Sequence, residues 1–101
     1  MSVTRNIIWR RSARIYLKKA IDYISKDSVK NAEVVAKAIL STIEKAARYP
    51  EHYPPDKYKL SNTGNFRAFE IYSFRISFYT NAETIRIVRI RHTKQKYLKL
   101  F

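Results

Sequence analysis

The hydrophobic period of the chain changes at Pro50, and this change restricts its possible folds more than any other feature. Before Pro50 the apolar residues recur at helical spacing; after it they mostly alternate, as in half-buried strands. A chain with its helices in one part and most of its strands in the other is expected to lay the helices on one face of an antiparallel sheet, an α+β arrangement. With 101 residues there is material for one core, so residues 1–101 are read as a single domain.

In the first part, Val3 to Trp9 reads as a short strand, because Ile7, Ile8 and Trp9 suit a pleated surface. From about Ser12 the residues Ala13, Leu17, Ala20, Ile21 and Ile24 form one stripe of an amphipathic helix, with Lys18, Lys19 and Asp22 opposite. Ser25-Lys26-Asp27-Ser28 breaks the period and offers Asp27 or Ser28 as the N-cap of a second helix. The stripe of that helix is Val35, Ala38, Ile39, Thr42, Ile43 and Ala46. It ends near Tyr49, since Pro50 disfavours helical geometry in the residue before it. So short a turn makes the two helices an antiparallel hairpin.

Pro50 to Pro55 is too rich in proline for a helix or a central strand. Tyr58 and Leu60 predict a strand and Asn62-Thr63-Gly64-Asn65 a turn that uses the single glycine. Phe66 to Tyr72, Phe74 to Thr80 and Thr84 to Arg91 complete the sheet, the last two joined through Asn81-Ala82. In the strand from Phe74, the residues Phe74, Ile76 and Phe78 share one face and Arg75, Ser77 and Tyr79 the other. The final strand changes phase, with Ile85 and Ile87 in one register and Val88 and Ile90 in the other, which predicts a bulge near Ile87 or burial on both faces. Tyr53, Tyr58, Tyr72 and Tyr79 are assigned to core or edge packing. The expected fold is thus an N-terminal strand, an antiparallel two-helix hairpin, and an antiparallel sheet of three to four strands packed on the helices.

The chain has no cysteine, which excludes disulfides, thiolate metal sites and a thiol nucleophile, and fits a reducing cytoplasm. No run of about eighteen apolar residues suits a membrane span. One glycine cannot make a glycine-rich phosphate loop, and the His and acid spacing matches no metal site, so neither a cofactor nor a metal is expected. The formal charge of +13 exceeds what solubility needs and points to an anionic partner, either nucleic acid or an acidic protein. The excess is concentrated from Lys57 onward, with ten Lys and Arg against Glu70 and Glu83.

Within that basic half, Arg67, Arg75, Arg91, His92, Lys94, Lys96 and Tyr97 form the cluster with chemical content. Facing residues on neighbouring strands sit roughly 5 Å apart, so Arg67, Arg75 and Arg91 are candidates to converge on one phosphate. Without metal or thiol, the chemistry open to such a site is RNA cleavage by the substrate's own 2′-hydroxyl. His92 would be its base or acid, the arginines its charge stabilisers and Tyr97 a stacking platform.

The order of these pieces resembles the RelE/ParE superfamily of toxins. The resemblance rests on Ile8-Trp9 leading into Arg11-Ser12-Ala13, on Tyr23-Ile24-Ser25, and on Tyr49-Pro50-Glu51. It rests equally on the sheet runs Phe66–Tyr72, Phe74–Tyr79 and Ile85–His92. It implies a toxin of a type II toxin–antitoxin module, neutralised by a cognate antitoxin that is acidic where it meets the basic half. It also implies one of two targets: the ribosome with its mRNA, which RelE-like members cleave, or DNA gyrase, which ParE-like members poison without being enzymes. Arg75, Arg91 and Tyr97 match the RelE pattern, and Arg67 stands where a strand lysine is expected. Phe69 replaces the second strand lysine, which leaves His92 as the one substitute for a general base. The longer helical hairpin and the Ile-Val-Arg-Ile-x-His ending of the last strand resemble ParE more closely.

Overall fold

The computed structural model describes residues 4–94; Lys96 and Tyr97 lie outside them. A short strand β1 (Asn6–Trp9) leads into α1 (Arg11–Asp27), and after Ser28 the chain doubles back as α2 (Val29–Arg48). The Ser28 hydroxyl accepts the Asn31 amide at 3.0 Å, which fixes the start of α2 at one of the two residues suited to cap it. Pro50 opens a single 3-10 turn, Pro50–His52, and ends the helical part. Three strands follow: β2 (Phe66–Ile71), β3 (Phe74–Thr80) and β4 (Thr84–His92).

The sheet order is β1-β4-β3-β2, with β2, β3 and β4 antiparallel and β1 joined parallel to β4. The helical hairpin supplies the crossover that a parallel pair needs, carrying the chain over the sheet before the antiparallel strands form. The N-terminal strand therefore belongs to the same sheet as the C-terminal half. Tyr58 and Leu60 do not form a strand. That segment is a series of turns, and only Pro55 makes an isolated antiparallel bridge, to Arg67. Nearby, Asn62 uses its whole amide: Oδ1 accepts from Gly64 and Phe66, and Nδ2 donates to the carbonyls of Asp56 and Phe66. Local side-chain bonding of this kind outcompetes a ladder.

The core lies between the hairpin and one face of the sheet. Ala13 of α1 and Val35, Ile39, Ile43, Ala46 and Ala47 of α2 pack on Phe69, Phe74, Ile76, Phe78, Ile85, Ile87 and Ile90. Leu17, Ala20, Ile21 and Ile24 extend the α1 stripe at partial burial.

One irregularity decides what the other face carries. The β3/β4 register shifts between Ser77 and Phe78: Phe78 pairs with Ile87 and Ser77 with Arg89, which leaves Val88 as the extra residue. The bulge reverses the alternation, so Ile85, Ile87 and Ile90 all face the helices. The same reversal sends Arg86, Arg89 and Arg91 together to the face away from them.

Candidate binding face

Strand register arranges the outer face of the sheet in rows. Ile8, Arg86, Tyr79 and Phe66 form one row across all four strands. Ala68, Ser77 and Arg89 form the next, and Glu70, Arg75 and Arg91 the third. The β4 arginines run down one side and the aromatic pair Phe66 and Tyr79 closes one end, their ring centroids 5.2 Å apart.

Half of this face is already covered. After Pro55 the chain turns over the edge of β2, where the Asp56 amide donates to Phe66 at 2.8 Å and the Ala68 amide to Pro54 at 3.1 Å. Asp56 is then 2% exposed, and its Oδ1 accepts Arg75 Nη2 at 2.8 Å. Glu70, beside Arg75 in register, accepts Nη1 at 2.9 Å. The Tyr58 ring centroid lies 4.8 Å from the guanidinium carbon, and Lys59 Nζ lies 4.8 Å from that of Phe66. Beneath this strap even Ser77 is buried. The arrangement has a clear electrostatic cause: Arg75 and Arg91 stand directly opposite each other, and like charges so placed repel. Burial works against the Arg75 charge, but hydrogen bonds and Coulomb attraction from Asp56 and Glu70 outweigh it and hold the guanidinium above its ordinary pKa.

The predicted convergence of three arginines therefore fails. Arg67 pairs with Phe78 and points to the helix-bearing face, where its Nη1 donates to the Tyr53 carbonyl at 2.6 Å. Arg75 is on the outer face but engaged by two carboxylates. His92, adjacent to Arg91 in an alternating strand, faces the helix side. Its ring meets Phe74 edge-on at 5.5 Å, and its amide donates to the Tyr16 hydroxyl at 3.0 Å. Of the proposed catalytic group, only Arg91 remains on the open half of the outer face, and Tyr97 falls outside the described residues. The prediction assumed that Arg67 shared a face with Arg75; in fact the hairpin places Glu70 opposite Arg75. Phe69, at the position of the missing lysine, is a buried core residue.

What the sequence reading missed is the open half. Two recesses flank Val88. One, of about 810 Å³, is lined by Ile8, Lys59, Phe66, Tyr79 and Arg86 among others. The second, of about 370 Å³, lies where Arg10, Ser12 and Ala13 at the start of α1 meet Arg89 and Arg91. The buried Arg91 Nε has no acceptor among the described residues. Among the described residues, no acidic side chain lines either recess. The bulge was the available signal, because its position fixes the faces of all three β4 arginines. Among the described residues no three His, Cys, Asp or Glu side chains gather as a metal site, and no helix is long and apolar enough to cross a membrane.

This arrangement of helical hairpin and mixed sheet has relatives. The family model for the ParE toxin of the type II toxin–antitoxin system parDE matches residues 7–97. The chain belongs to the ParE toxin family. The match runs from β1 through β4, so it includes the helical hairpin, the strap and the bulged strand. Among solved structures, the chain is similar to one from the chromosomal ParDE TA system from P. aeruginosa, with a TM-score of 0.67 and 18% identity over 90% of this chain and 98% of that one. At that identity the likeness speaks to the fold. No curated protein matches the sequence.

Proposed function

We propose that this type II toxin acts by binding, with DNA gyrase as its target and no catalytic step of its own. A cognate antitoxin would neutralise it through an acidic segment laid on the open outer face. Membership of the ParE family favours gyrase over the ribosome. The observation that carries the non-enzymatic reading is the placement of Arg75. A nuclease needs that guanidinium free to meet a phosphorane, whereas here Asp56 and Glu70 already engage it, with Arg67 and His92 on the far side of the sheet. Arg86, Arg89 and Arg91, with no lining carboxylate among the described residues, supply the complementarity for an acidic antitoxin. The absence of cysteine agrees with action in the cytoplasm.

Induced expression with parallel readouts of message integrity and plasmid supercoiling tests the proposal. Growth arrest with relaxed or broken DNA and intact messages is expected. Arrest with messages cut on ribosomes and normal supercoiling would replace it with the nuclease alternative.

A further inference from the structure

The β2–β3 hairpin closes on two residues, Tyr72 and Ser73, between the paired Ile71 and Phe74. Both have positive φ, at 49° and 65°. A two-residue turn of this kind favours Asn-Gly, and an aromatic side chain at positive φ is strained. The turn is held in place all the same: the Thr93 amide donates to the Ser73 carbonyl at 2.7 Å, tying the loop to the end of β4. The Tyr72 side chain gives the core little in return, since it is 55% exposed. Strain retained at an exposed aromatic points to a use outside the fold.

A recess of about 530 Å³ opens beside it, lined by Tyr16, Lys19, Tyr23, Tyr72, Phe74 and His92 among others. It lies on the helix side of the sheet and shares Tyr16 with the recess at Arg89 and Arg91. Its floor is fixed: Phe74 is buried, the His92 ring packs on it, and the Tyr16 hydroxyl accepts the His92 amide. Its rim is not, for Tyr23 is 71% exposed. Among the described residues no carboxylate lines the recess, and Lys19 supplies an ammonium. Tyrosines around a preformed apolar pocket are typical anchors of protein interfaces.

We propose that this recess docks a segment of the toxin's protein target that inserts an apolar side chain between Tyr23 and Tyr72 and offers a carboxylate to Lys19. The inference rests on the binding mode proposed above, in which the antitoxin takes the opposite, arginine-bearing face. Charge selects an acidic segment, since both the recess and the chain as a whole are cationic.

Tyr72→Asn separates a binding role from a structural one, because asparagine tolerates positive φ and relieves the strain. The variant is expected to hold or raise Tm, to bind antitoxin as wild type does, and to need at least tenfold more protein to arrest growth or to bind purified gyrase. Tyr23→Ser and Lys19→Glu, at the rim, are expected to show the same loss at unchanged Tm. Ser61→Gly, which relieves a φ of 52° elsewhere, is expected to raise Tm and leave growth arrest intact. The proposal is overturned if Tyr72→Asn arrests growth at wild-type levels, if it unfolds while Tyr23→Ser and Lys19→Glu stay fully active, or if the variants lose antitoxin instead of target. Wild-type protein that arrests growth without binding gyrase would refute the gyrase assignment alone, and the growth readout of the variants would still judge the recess. Wild-type protein that arrests nothing would remove both.

Discussion

Asp56 and Arg75 meet at 2.8 Å on the outer face of the sheet, with the carboxylate side chain wholly buried and the guanidinium 8% exposed. Arg75→Ala strands the buried Asp56 carboxylate and should cost about 3–5 kcal/mol in urea unfolding, whereas Asp56→Ala should cost less because Glu70 still pairs with the guanidinium. An Asp56→Leu/Arg75→Met double variant should lose well under the sum of the single losses, since the two residues share one interaction. Additive losses would show that the strap is held by something other than this pair.

The bulge in β4 is one residue. Deleting Val88 would remove the bulge and leave a regular alternation in which Arg89, Ile90 and Arg91 keep their partners Ser77, Ile76 and Arg75, and so their faces. The deletion variant should therefore keep its near-ultraviolet circular dichroism and a cooperative thermal transition, and loss of both would show that β4 does not re-form in this register. Val88→Ala keeps the register and should retain both signals.

Alkaline pH should weaken the fold partly through Tyr53. Its ring packs against Phe69 and Phe78, and burial raises its hydroxyl pKa above the ordinary 10.0. Between the unfolded and folded values the native state holds a proton that the unfolded chain has released. This contribution is therefore complete below pH 10 and declines as pH rises towards the folded value. Tyr53→Phe should flatten the fall in stability above pH 10 relative to wild type, measured by denaturant unfolding along a pH series. Parallel curves for the two proteins would dismiss the effect.

The arginine column should govern antitoxin capture. Arg86→Glu, Arg89→Glu and Arg91→Glu combined are expected to weaken antitoxin binding at least tenfold at low salt and to shallow its salt dependence, because several charge contacts are lost together. Isothermal titration at two salt concentrations reads both effects. An unchanged affinity would place the antitoxin elsewhere.

Much of the fold was legible because helical and strand periods are local properties. Ser28, Pro50 and the alternation of Phe74 to Thr80 each fixed a boundary or a face without help from distant residues. The bulge was legible for the same reason, since Ile85, Ile87 and Ile90 cannot all face one side of a regular strand. The candidate site was less legible because it depends on register across strands. Arg67 and Arg75 lie in strands joined by a two-residue turn, and only that turn decides that Glu70, rather than Arg67, stands with Arg75. Asp56 lies 19 positions from its partner, in a segment whose alternation imitated a strand. Tyr72 reads as a packing residue because nothing in the sequence marks a positive φ at tyrosine.

A supercoiling assay with purified gyrase, run beside a translating ribosome reaction containing the same toxin preparation, tests the central claim most directly. The binding mode argued from the engaged Arg75 predicts that supercoiling stops, that added antitoxin restores it, and that messages in the ribosome reaction remain whole. Undiminished supercoiling together with cleaved messages would contradict it.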